Sequence, residues 1–128
     1  LTRMKNSFNS YPLYKLAQAG ATASVLDVEY FTQICQQVID LRNSLTAELI
    51  ALGFDVLPSH ANFVFARPKD GNANAVANAL REQGIIVRHF DKPRINEYLR
   101  ITTGTAEQNS RLIDALQALQ KEVAIIAD

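Results

Sequence analysis

Apolar residues step by three and four through Phe31, Ile34, Val38, Leu41, Leu45, Leu49 and Leu52. That spacing predicts a helix with one apolar face. Gly53 follows where a left-handed helix cap belongs. Upstream, Ser10 and Pro12 read as a helix start, since proline loses nothing in a first helical turn. The stretch to Leu26 is Ala-rich and puts Leu13, Leu16, Ala17, Gly20 and Ala21 on one face. A face of small residues suits close packing against another element.

Beyond Gly53 the period shortens. Phe54 to Leu57 reads as a short strand stopped by Pro58, and Asn62 to Ala66 as an apolar strand with two aromatics, Phe63 and Phe65. Pro68 to Gly71 is a turn. Val76, Ala79, Leu80 and Gln83 share one face of a further helix that Gly84 ends. Ile85 to Arg88 reads as a buried strand and His89 to Glu97 as a polar loop. In Tyr98 to Thr102, Leu99 and Ile101 point to one side of a strand; Tyr98, Arg100 and Thr102 point to the other. Gly104 is a structural turn. Thr105 and Gln108 make a T-x-x-Q capping box for a last helix that shows Leu112, Leu116, Leu119, Val123 and Ile126. Strand pairs alternating with helices predict an α+β fold, a two-layer sandwich. Its small, mostly antiparallel sheet carries helices on one face.

Composition narrows the reading. The chain has 128 residues, enough for one domain with a real core. Thirteen basic against 13 acidic residues leave a formal net charge of zero, so there is no footprint for nucleic acid or an anionic membrane. No run approaches the roughly 18 to 20 apolar residues of a bilayer span, and Leu1 to Ser10 lacks a signal-peptide core. A cytoplasmic address is the expectation. A single cysteine, Cys35, excludes an internal disulfide and a multi-cysteine zinc site, and its helical setting predicts a packed thiol. Leu1 in place of a start methionine suggests a piece of a longer protein.

Arg100 is the first candidate for chemistry. It sits between Leu99 and Ile101 in L-R-I-T-T-G-T, and a guanidinium recognises carboxylate or phosphate by two parallel hydrogen bonds. Arg88 ends G-I-I-V-R; if the two strands are neighbours, both arginines converge on one anion. The competing readings are a surface arginine on an edge strand for Arg100 and a strand-end charge in solvent for Arg88. Lys92 and Arg94 read as solvated loop charges. His60 and His89 lack the oriented nucleophile or clustered ligands that catalysis or a metal requires. By residue chemistry alone the chain is an α+β domain with an anion-binding arginine pair.

Several segments, in order, resemble the C-terminal domain of histidinol-phosphate aminotransferases, within the class I/II, fold-type-I pyridoxal-phosphate aminotransferases. They are K-N-S-F-N-S-Y-P-L (5–13), L-P-S-H-A-N-F-V-F (57–65), L-R-E-Q-G-I-I-V-R (80–88) and L-R-I-T-T-G-T (99–105). The first favours the histidinol-phosphate branch; the last two are shared more widely. The resemblance implies residues 1–29 as a lead-in segment and interdomain helix and 30–128 as the small domain. It also implies a pyridoxal-phosphate-binding large domain outside the chain, and a homodimeric parent. That parent would transfer an amino group between glutamate and imidazole-acetol phosphate, in histidine biosynthesis. None of the five lysines, Lys5, Lys15, Lys69, Lys92 and Lys121, has the Schiff-base context, so the chain alone is expected to be inactive, with no catalytic or cofactor-binding residue. Arg100 matches the arginine for the substrate carboxylate, Arg88 one for phosphate or carboxylate, and Asn62 a structural hydrogen-bonder. The alternatives are an aromatic aminotransferase, a decarboxylase of phosphate substrates, a free-standing anion-binding module, or an interaction domain using the face of residues 12–26.

Overall fold

The computed structural model describes residues 14–126, with the side chains of 122–126 left aside. Two compact units divide between Cys35 and Gln36.

The first unit holds helix α1, Lys15–Leu26, and the start of helix α2, Val28–Ala51. Asp27 joins them: its amide donates to the Ala23 carbonyl, and its Oδ1 accepts from the Tyr30 amide at 3.2 Å, capping α2. No residue of α1 is buried. Pro12 and Leu13, part of the helix expected from Pro12, lie outside the described residues. A Cβ built on Gly20 would meet nothing within 4 Å, so the close contact expected at the small-residue face is not made here. Cys35, expected to be packed, is exposed. Phe31 and Ile34 on the same helix are exposed too. The apolar stripe is present, but this stretch of it is uncovered.

The second unit carries the core. The apolar face of α2 is buried at Leu45 and Leu49. Gly53 takes φ +83°, the left-handed cap expected of it. Strand β1 is Asp55–Val56 and β2 Phe63–Arg67. Helix α3, Ala73–Glu82, starts on Asn72, whose Oδ1 accepts from the Ala75 amide at 3.3 Å. It buries Ala73, Ala77 and Leu80, and Val76 packs partly buried against the core, so the expected face holds at Val76 and Leu80 and extends to Ala73 and Ala77. Gln83 is exposed.

Strand β3 is only Arg88–His89, where a strand from Ile85 to Arg88 was expected. The Ile85 amide bonds back to the Leu80 carbonyl at 2.9 Å, closing α3 past Gly84 at φ +74°. Sheet pairing therefore starts at Arg88. Val87 is buried but Ile86 is 81% exposed, so the segment is not buried throughout. Strand β4, Leu99–Thr102, shows the expected alternation: Leu99 and Ile101 buried, Arg100 and Thr102 not. Helix α4, Ala106–Ile126, opens on the capping box. The Thr105 amide donates to Gln108 Oε1 at 3.0 Å, and the Gln108 amide to Thr105 Oγ1 at 3.3 Å.

The strands form one antiparallel sheet in the order β1-β2-β4-β3. Val64, Ala66, Leu99 and Ile101 face a single core with Leu45, Leu49, Leu80, Leu112 and Leu116 from the helices. This is the expected α+β architecture. Among the described residues no helix is long and apolar enough to cross a membrane.

Candidate functional site

Sheet residues that alternate with the core positions build the other face. Phe63 and Phe65 of β2 sit opposite Thr102 and Arg100 of β4. Arg88 of β3 sits directly opposite Arg100. Residues paired across an antiparallel ladder share a face, so both arginines lie on the side away from Leu99 and Ile101.

Aromatic rings line them. The Arg88 guanidinium carbon is 4.7 Å from the Phe90 ring centroid. That of Arg100 is 5.4 Å from Phe63 and 5.9 Å from Phe90. Phe65 stacks on Phe90 at 6.2 Å and meets Phe63 and Tyr98 edge-on at 5.9 and 6.4 Å. Rings beneath a guanidinium fix its plane without consuming its N–H donors.

Neither Arg88 nor Arg100 has a carboxylate partner among the described residues. Arg100 Nε is buried and has no hydrogen-bond partner. A buried donor without an acceptor is costly. Arg67, two positions beyond Phe65 on the same face, differs. Its Nη1 donates to Glu97 Oε2 at 2.8 Å. That hydrogen bond, and then the carboxylate's charge, raises the Arg67 pKa. Arg67 Nε is likewise buried without a partner, so what sets Arg67 apart is the Glu97 carboxylate; no described carboxylate engages Arg88 or Arg100.

The two arginines also line a cavity of about 480 Å³ with Thr102 and with Asn74, Asn78 and Arg81 of α3. No described carboxylate lines it. Three guanidiniums around one cavity have the chemistry to bind a small anion carrying more than one negative charge.

Among the other candidates, His60 is exposed in the 57–62 turn. His89 Nε2 lies 2.7 Å from the Asn96 carbonyl, holding the 90–98 loop to β3. Asn62 bonds through its backbone carbonyl, which accepts from the Thr103 amide at 2.9 Å. Lys92 and Arg94 lie exposed in the loop, Arg94 with φ +75°. No group of three or more metal-ligating side chains exists among the described residues. Two contributors were not foreseen in the sequence. Phe90 stands in a stretch read as a polar loop; its setting directly after V-R-H was the available signal. Arg42, buried on α2, donates to the Ala61 carbonyl at 3.1 Å. That bond anchors the turn in which Ser59 Oγ accepts from the Ala61 amide at 3.1 Å and donates to the Phe63 carbonyl at 2.5 Å.

A two-layer domain presenting an arginine pair on its open sheet face belongs to a known class. The model of the class I and II aminotransferases matches residues 1–116, and the chain is a member of that family. Among its relatives, histidinol-phosphate aminotransferase 2 of Psychrobacter arcticus is 84% identical over 120 residues, covering 94% of this chain and 32% of the relative. The histidinol-phosphate aminotransferase structure from Clostridium acetobutylicum superposes with a TM-score of 0.83 at 20% identity, covering 94% of this chain and 37% of the other. That from Sinorhizobium meliloti, in complex with pyridoxal-5'-phosphate, gives 0.79 at 22% identity, covering 92% and 34%. The chain spans about a third of the length of the curated relatives it matches.

Proposed function

We propose that this chain is the small domain of a histidinol-phosphate aminotransferase, with Arg100 and Arg88 receiving the substrate's anionic group. Residues 1–29 would be the lead-in segment and interdomain helix, and 30–128 the domain itself. The observation that carries the reading is the Arg88–Arg100 cross-strand pair, without a carboxylate partner and with Arg100 Nε buried and unbonded. The 84% identical relative supports the particular enzyme. The reaction would be amino transfer between glutamate and imidazole-acetol phosphate.

Pyridoxal phosphate, bound in the Sinorhizobium meliloti enzyme, does not fit the residues present here as a complete site. None of the described lysines, Lys15, Lys69, Lys92 and Lys121, lines the arginine cavity, so no described amine stands beside the arginine pair for a Schiff base. A large domain of a longer protein would hold the cofactor, and this domain would bring the anion to it. The exposed apolar residues of α1 and early α2, Leu16, Val25, Leu26, Tyr30 and Phe31 among them, suit an interface with that large domain or with a second subunit of a homodimer.

Arg100 is held between two buried neighbours and would serve both substrates. Arg88, at a strand end, would add the second guanidinium that a phosphate can use and a carboxylate needs less. Steady-state kinetics of the full-length protein test this. Arg88→Ala should raise KM for histidinol phosphate more than for glutamate; an equal rise for both removes the division of labour. The isolated chain should give no stoichiometric visible band with pyridoxal phosphate; a band abolished by one lysine substitution would overturn its inactivity.

A further inference from the structure

We propose that Phe90 is the positioning residue of the arginine pair: its ring holds the Arg88 and Arg100 guanidiniums toward one anion and sets the preference for phosphate over carboxylate. This rests on the reading of Arg88 and Arg100 as the substrate-anion groups.

Like charges directly opposite on neighbouring strands repel. Arg88 and Arg100 are such a pair, with no described carboxylate between them. Unsupported, two long side chains in that position would swing apart into solvent. Phe90 gives both a common surface, with its centroid 4.7 Å from the Arg88 guanidinium carbon and 5.9 Å from that of Arg100. The ring is itself held, stacked on Phe65 at 6.2 Å with planes 18° apart. Phe65 lies across the ladder from Arg100. The placement of Arg88 is thus passed from the rigid centre of the sheet through two rings.

The support is unequal. Arg100 has a second ring, Phe63, at 5.4 Å. Arg88 has Phe90 alone among the described rings. Loss of the Phe90 π face therefore leaves Arg100 seated and releases Arg88. A carboxylate served by Arg100 would scarcely register the change, whereas a phosphate that uses both guanidiniums would.

The test uses full-length protein with Phe90→Leu, Phe90→Met and Phe90→Tyr. Phe90→Leu should raise KM for histidinol phosphate roughly three- to tenfold. KM for glutamate and kcat should stay within about twofold, and Phe90→Tyr, which keeps the ring, should restore the wild-type KM. Inorganic phosphate, titrated calorimetrically, should bind more weakly by a similar factor in Phe90→Leu and normally in Phe90→Tyr. If Phe90→Leu does not fold, Phe90→Met is judged by the same values. Equal KM rises for both substrates, no rise for either, or no rescue by tyrosine would overturn the role. Wild-type protein that does not turn over histidinol phosphate would remove the enzyme reading, while the phosphate titration still decides on Phe90. Normal phosphate binding in Phe90→Leu, beside a crippled Arg100→Lys, would leave the enzyme reading standing and end this one.

Discussion

The two faces of the sheet are built from alternate residues of the same strands, yet they do different work. On one, Val64, Ala66, Leu99 and Ile101 are at most 2% exposed and packed on helices. On the other, Phe63, Phe65, Arg100 and Thr102 keep access to solvent, and Arg88 and Arg100, unlike Arg67, have no described carboxylate partner. The first face returns free energy to folding through apolar burial. The second leaves a buried guanidinium donor unsatisfied. Such a site is paid for by the face beneath it. Along β2 and β4 the alternation also makes the two roles separable: a substitution on one face of these strands should move stability or recognition, but not both.

The largest expected effect is on the open face. Arg100→Lys keeps the charge but loses the two-pronged fork. On the proposed reading, breaking a charge-assisted pair of this kind costs about 2 to 5 kcal/mol, a fall of about 30- to several thousand-fold in kcat/KM of the full-length protein, with a melting temperature close to wild type. A melting temperature that falls in step with activity would show that the faces are not independent. Next comes the covered face. Leu99→Ala, beside Arg100 and fully buried, should cost about 2 to 5 kcal/mol in urea unfolding, with KM values near wild type well below the transition. A large change in KM without loss of stability would break the comparison from that side. The smallest effect belongs to neither face. Thr105→Ala removes half of the capping box of α4 and should cost about 1 kcal/mol, read as a small drop in melting temperature with unchanged kinetics.

What the sequence made legible was local. The T-x-x-Q box needs only residues three apart, and it forms as expected. The alternation in 98–102 needs only neighbours, and it placed Arg100 on the correct face. The features that escaped depend on what covers a residue. Phe31, Ile34 and Cys35 continue an apolar stripe that spacing alone cannot distinguish from the buried Leu45 and Leu49. Arg42 has no legible role until the Ala61 carbonyl, 19 positions away, arrives as its acceptor. Phe90 looked like a lone aromatic in a loop, because the rings and guanidiniums it meets come from β2, β3 and β4.

Strand β3 has two rungs, and a ladder that short barely fixes its own register. The frame comes from outside the ladder, from Val87 seated in the core with Ile86 turned out. A slip of one position would strand Val87 in water and drive Arg88 inward, since side chains alternate faces. Val87 therefore acts like a punctuation mark: it carries no meaning for a ligand, yet it decides which letter is read next. Exchanging its branched apolar side chain for a polar one would misplace Arg88 without altering either arginine.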